Sequence, residues 1–210
     1  MVTLDLRKEL KQFYAPSAKK VELVDVPEFQ FAMIDGAIEP GMEPGNSPAF
    51  AGAMGALYGI SYTLKFMSKL RQVDPIDYPV MALEGLWWVE DGEFRIERKD
   101  NYVWIVMILQ PDHITPEMFE EARAQVRAKR GDNPALAQLR LERFREGLCV
   151  QTLHVGPYAD EPATVARMDA FAAEHGYVMC GKHHEIYMGN PLRSAPEKLK
   201  TVLRHPVEKA

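Results

Sequence analysis

Cysteine is scarce in this 210-residue chain: the two present, Cys149 and Cys180, fit neither a metal-binding spacing nor a Cys-x-x-Cys pair. No disulfide framework is implied, and both read as small core residues. Long apolar runs are also missing. The longest, Val103 to Leu109, has the length of a buried strand and falls well short of the roughly 18 residues of a membrane span. The first residues, MVTLDLRKEL, are charged from position 5 and contain no apolar signal core, which points to the cytoplasm. A basic surplus is absent, since the net charge is −5 and the pI near 5.7, and this argues against nucleic acid as a partner. The one dense basic run, Arg123 to Arg130, ends a helix that begins with Glu117, Glu120 and Glu121, the polarity a helix dipole favours and a solvated face satisfies. No P-loop, G-x-G-x-x-G, G-x-S-x-G or H-E-x-x-H occurs, so neither a nucleotide nor a cofactor is implied.

What is there is a chain with 47% hydrophobic residues, enough for one large core or two small ones. Residues 21–38 are predicted extended, broken at Pro27 and turning at Gly36. Ser47 and Pro48 open a helix as cap and first position, with Phe50, Met54, Leu57, Leu64 and Met67 on its apolar face and Asp74-Pro75 at its end. Gly52, Gly55 and Gly59 each cost about 1 kcal/mol relative to alanine there, which predicts a bend or a close contact. Strands follow near 79–89 and 102–110, joined by a turn at Asp91-Gly92. The second half opens with a helix capped by Thr115 and closed by Gly131, and another starts at Asn133-Pro134 and runs through Leu136, Leu139 and Leu141. A strand near 146–154, a helix from Asp160 to Gly176 with Val165, Met168 and Ala172 buried, and strands near 181–188 and 200–207 complete it.

The order strand, helix, strand, strand thus occurs twice. MIDGAIEPG (33–41) parallels LHVGPYADEP (153–162), and LEGLWW (83–88) parallels HEIYMG (184–189). In that alignment Glu84 matches Glu185. The expectation is an α+β fold in one domain over 1–210, with module one at about 21–112 and module two at about 113–210. Its antiparallel half-sheets would face each other across a central cleft on a pseudo-twofold axis, where a ligand would bind.

The residues with chemical potential cluster at the end of each module. On a strand, His183, Glu185 and Tyr187 share one side, and His184, Ile186 and Met188 the other. The repeat then predicts Glu84, Leu86 and Trp88 on the matching face, with Trp87 opposite. Trp88 is the favoured stacking partner, and Trp87, Trp104, Tyr58 and Tyr62 are further candidates for an aromatic wall suited to a flat, mostly apolar ligand. Phe50, Met54 and His183 complete the candidate binding set. Glu185 is either satisfied by a neighbouring Arg or Lys, or held in the cleft to bind a cation or take a proton from water. Tyr187 and Tyr158 are placed to donate to an oxyanion on a substrate carbonyl. His183 and His184 point to opposite faces, so one metal ion cannot take both.

MIDG, ALYGISYTLKFM, LEGLWW, EGLCVQTLHVGPY and HHEIYMGNPLRSAPEKLKTVLRHPV, in that order and spacing, resemble stand-alone GyrI-like proteins over nearly the whole chain. The resemblance implies a GyrI-like, SOUL-type effector-binding fold of paired strand-helix-strand-strand modules, shared with the drug-sensing domains of bacterial regulators. Those bind amphipathic, often cationic drugs with a glutamate among aromatic rings. A subset of the stand-alone proteins hydrolyses cyclopropanoid DNA-alkylating natural products, and the glutamate of its H-E-I-Y motif falls on Glu185. Gly52 and Gly55 depart from the family helix. No N-terminal region long enough for a helix-turn-helix is apparent, so a complete regulator is not expected. The alternatives to a hydrolase are a drug-sequestering or sensor module and an inhibitor of another protein.

Overall fold

The computed structural model describes residues 2–90, 96, 101–191 and 193–210. In chain order the strands are β1 (Val2–Thr3), β2 (Glu22–Ala37), β3 (Ile76–Asp77), β4 (Leu83–Trp88), β5 (Val103–Gln110), β6 (Arg140–Val155), β7 (Tyr177–Met179), β8 (His183–Tyr187) and β9 (Lys200–Lys209). The helices are α1 (Leu6–Glu9), α2 (Lys11–Tyr14), α3 (Pro48–Leu70), α4 (Pro116–Arg130), α5 (Pro134–Gln138) and α6 (Glu161–Glu174). No helix among the described residues is long and apolar enough to cross a membrane.

The six main strands pair antiparallel in the order β6-β2-β5-β4-β8-β9, and β9 returns to β6, so the sheet closes into a barrel. Both modules contribute to it: β2, β4 and β5 come from the first, and β6, β8 and β9 from the second. The two modules meet at the β2–β6 seam and at the β4–β8 seam. Helix α3 packs outside the first module, where Leu57, Ile60 and Leu64 are fully buried, each worth about 1.5–3 kcal/mol. Helix α6 covers the second through Met168 and Ala172, in a smaller cluster with Val150, Leu203 and Val207.

The caps act as the residue types dictate. The Ser47 hydroxyl accepts from the Phe50 N–H at 3.0 Å, Thr115 accepts from Met118, and α4 ends at Gly131 with φ +83°. Other expectations are corrected. Strand β2 runs straight through Pro27, because β5 joins it only from Gln30 and leaves one edge open where the proline has no N–H to give. Gly36 makes no turn; it lies opposite Trp104, and a Cβ there would sit 2.1 Å from the indole. Gly52 and Gly55 touch nothing at the Cβ position, and only Gly59 makes a close approach, to Val126 and Arg130. Helix α3 stops at Leu70 rather than Asp74, and α5 stops at Gln138 because β6 begins at Arg140, earlier than the apolar pattern suggested. The charged start of β6 is held across the sheet by Arg140–Asp35 at 2.6 Å and Arg143–Asp112 at 2.9 Å. The turn expected at Asp91-Gly92 lies outside the described residues.

Candidate functional site: two faces of one strand seam

Pairing of β4 with β8 sets the geometry. Leu83 lies opposite Tyr187, Gly85 opposite Glu185 and Trp87 opposite His183; Glu84 lies opposite Ile186 and Leu86 opposite His184. Directly paired residues share a face, so Glu185, Tyr187, His183, Gly85 and Trp87 point outward, while Glu84, Trp88 and His184 belong to the barrel side. This corrects the expectation from the repeat. Glu84 and Trp88 do not share a face with Glu185, and the tryptophan beside it is Trp87. The internal alignment was one residue out of phase, and with a side-chain period of two that moves every residue to the other face.

The outward face is an arc of aromatic rings around one carboxylate. Trp104 lies opposite Trp87 in the ladder, and Phe50, from the first turn of α3, packs at 5.3 Å from Trp104 and 5.4 Å from Trp87, centroid to centroid. The Trp87 indole folds back across Gly85, where a Cβ would stand 2.7 Å from Nε1, and that N–H donates to the Tyr187 hydroxyl at 3.1 Å. Tyr187 meets Tyr158, from the turn before α6, edge to face at 6.0 Å. The Tyr187 hydroxyl is also hydrogen-bonded to Glu185, which is 4% exposed. Nε2 of His183 stands 3.5 Å from Glu185 Oε1. Burial first, then the charge of Glu185, drives the pKa of Tyr187 well above its ordinary value, and the same causes with Glu161 push Tyr158 up to about 12. Both phenols keep their protons at neutral pH and serve as donors. Glu161, a fully buried carboxylate in the first turn of α6, was not anticipated from sequence.

The remaining candidates lie further along α3 and at the end of β4. Met54 is one turn beyond Phe50 and packs against the core. Tyr58 and Tyr62, with rings 6.4 Å apart, sit about 12 and 18 Å further along α3 than Phe50, and Tyr62 lines a groove between α3 and α4. Trp88 carries Lys182 Nζ over its ring at 3.8 Å.

Inside the barrel, His184 links two carboxylates: Nε2 is 3.1 Å from Glu84 Oε2 and Nδ1 is 3.0 Å from Glu146 Oε1. The Tyr14 hydroxyl donates to Glu84 at 2.6 Å, and Arg204 donates to Glu146 at 3.0 Å, to Gln151 and to the Phe13 carbonyl. Burial alone would depress the His184 pKa, but Glu146 and Glu84 raise it to about 9; burial opposes ionisation of Glu146, yet His184 and Arg204 hold it at about 2. His184 is therefore an imidazolium between two acids, with Arg204 completing the set. Sequence reasoning missed this cluster because its members come from α2, β4, β6, β8 and β9. Gly147, at φ +80°, breaks the alternation of β6, so that Glu146 turns inward together with Gln151. The cavity left among these groups is about 10 Å³, room for about one water.

The GyrI-like small molecule binding domain family matches residues 19–208. The chain belongs to this family. Among solved structures, it is similar to an uncharacterized conserved protein from Listeria innocua at 40% identity, covering 98% of this chain and all of the other, with a TM-score of 0.87. A hydrolase from Listeria innocua is 38% identical over 98% of this chain and all of its own, with a TM-score of 0.82. The C-terminal domain of EcmrR shares the fold at 13% identity, with 91% and 98% coverage and a TM-score of 0.54. None of the curated proteins matches the chain. As a GyrI-like domain the protein is a small-molecule binder, and its frame is a closed antiparallel barrel with flanking helices.

Proposed function

We propose that the outward arc binds planar, amphipathic aromatic molecules and that the protein hydrolyses the activated cyclopropane of cyclopropanoid DNA-alkylating compounds, a detoxification reaction. The observation that carries this reading is Glu185, held by Tyr187 and His183 inside the arc Trp104, Phe50, Trp87, Tyr187 and Tyr158. The hydrolase with which the chain shares 38% identity supports the reaction class. Rings of this kind take a flat ligand between their faces and leave few polar groups to orient it.

In the proposed reaction Glu185 orients a water and takes one of its protons. The water oxygen bonds to the cyclopropane methylene, the ring C–C bond breaks, and its electron pair moves into the conjugated dienone, whose carbonyl becomes a phenolate. Protonation of that oxygen, with the proton from water returned by Glu185 through solvent, gives the ring-opened alcohol and a neutral phenol. Tyr187 already donates to Glu185 and accepts from Trp87, so Tyr158 is the phenol assigned to the developing oxyanion. Positioning and proton transfer each supply a few kcal/mol, which suffices for a ring opening driven by aromatisation.

Incubation with a spirocyclopropane dienone of the duocarmycin type, followed by mass spectrometry, tests the reading. Ring-opened alcohol should form faster than in buffer, and Glu185→Gln should lower turnover by about 10²-fold or more while retaining ligand binding. Binding without any product above the buffer rate makes the protein a sequestering or sensing module, with Glu185 as partner to a ligand cation.

A further inference from the structure

Helix α3 carries a second exposed surface beyond Phe50. Tyr58, Tyr62, Phe66 and Leu70 recur every four residues and stand 37%, 48%, 51% and 73% exposed. Residues at that spacing form one stripe. Three aromatic rings and a leucine in line approach the few hundred Å² of contiguous apolar surface that marks an interaction site on a soluble protein. Beside the stripe runs a groove of about 840 Å³, walled on its far side by α4.

The α4 wall has an ordered charge pattern. Glu121, Gln125 and Lys129 follow one another at intervals of four, all exposed and all lining the groove, with Arg130 beyond them. Acid, neutral and base in sequence along one face is a self-complementary arrangement. A second copy rotated by a twofold axis near Gln125 sets Glu121 of each chain against Lys129 of the other and Gln125 against itself. The helices α3 and α4 run antiparallel, since Ser68 near the end of α3 meets His113 just before α4, and Asn133 just after α4 donates to the Gly52 carbonyl. The same rotation therefore lays the α3 stripe of one copy antiparallel along that of the other, while each Glu121 on α4 meets Lys129 of the mate. An isologous twofold contact needs one patch that is complementary to itself, and the Glu121, Gln125 and Lys129 row of α4 meets that condition in charge.

We infer that the α3–α4 face is the dimer interface of this protein, with a second copy of the chain as its occupant. Tyr58, Tyr62, Phe66 and Leu70 form the apolar centre of the contact, and Glu121 and Lys129 form its charged rim.

Sedimentation equilibrium over a range of protein concentrations at low salt tests this. The unaltered chain should dimerise. Phe66→Glu should make it monomeric, and circular dichroism should show that the variant is folded. Glu121→Lys and Lys129→Glu alter exposed side chains only; each should weaken the dimer about tenfold or more, because like charges then face each other twice across the axis. An equimolar mixture of these two variants should regain a dimer, since both facing pairs become attractive in the mixed species. A monomer at every concentration, or a dimer indifferent to both charge reversals, overturns the proposal.

Discussion

The two faces of strand β8, one residue apart in sequence, solve opposite problems. Inward, His184 is 1% exposed and carries a charge, with an acid on each ring nitrogen and Arg204 behind one of them. Its neighbours arrive from four other elements and leave space for about one water. Outward, Glu185 sits among rings whose faces offer few polar groups, and its described partners are a phenol and an imidazole. A saturated network of this kind holds a structure together. A carboxylate set among aromatic faces and hydrogen-bonded by a phenol is in place to direct chemistry at a ligand.

The contrast can be broken from either side, and the inward face should yield the larger effect. His184→Ala leaves Glu84 and Glu146 buried without their shared cation, and should cost about 3–5 kcal/mol of stability in denaturant titrations. A loss below about 1 kcal/mol would mean that the inner network adds little. Glu185→Gln should do the reverse: turnover of the dienone falls by about 10²-fold or more, while the midpoint of thermal unfolding stays close to that of the unaltered protein. A variant that unfolds early but keeps its rate would assign Glu185 to the structural side of the comparison.

Gly85→Ala probes the joint between the faces. The added methyl meets the Trp87 indole at 2.7 Å and should displace it from Tyr187, costing about 1–3 kcal/mol of stability and weakening ligand affinity measured by calorimetry. Unchanged affinity would remove Trp87 from the binding arc. The smallest effect is the response to pH. His184 has a folded pKa of about 9 against an ordinary 6.5, so its contribution is complete below pH 6.5 and is lost as the pH rises through about 9. Glu146, held at about 2 against an ordinary 4.5, contributes fully above pH 4.5 and loses its contribution as the pH falls through about 2. Thermal melts should decline on the alkaline side, and His184→Gln should flatten that limb; an identical limb in the variant would locate the loss in another group.

Much of the frame was legible because its signals are local. Ser47-Pro48, Thr115-Pro116, Gly131 and Gly176 punctuate helices by their own side chains or backbone, and the structure uses each where expected. The repeated module order was visible for the same reason. The site was legible only in part. The structure brings Glu185, Tyr187, Tyr158, Phe50, Trp104 and Trp87 together, but Trp88 and Glu84 do not join them. Register decides this, and register is a property of two strands about 100 residues apart. Tyr58 and Tyr62 carry the same composition signal as Phe50 but stand two and three turns further along the helix, where Tyr62 lines the groove between α3 and α4.

By itself, then, the sequence determined the longer elements, their order, the duplication and the strand that carries Glu185, because caps, turns and alternation act over a few residues; the short α1, α2, β1, β3 and β7 carry too little pattern to be read. Tertiary structure alone decided which face each residue of β4 presents to β8, and that the half-sheets close into a barrel. It also decided that His184, Glu84, Glu146 and Arg204 meet inside. Those outcomes depend on pairing between distant strands, and a shift of one residue in that pairing exchanges the inside for the outside.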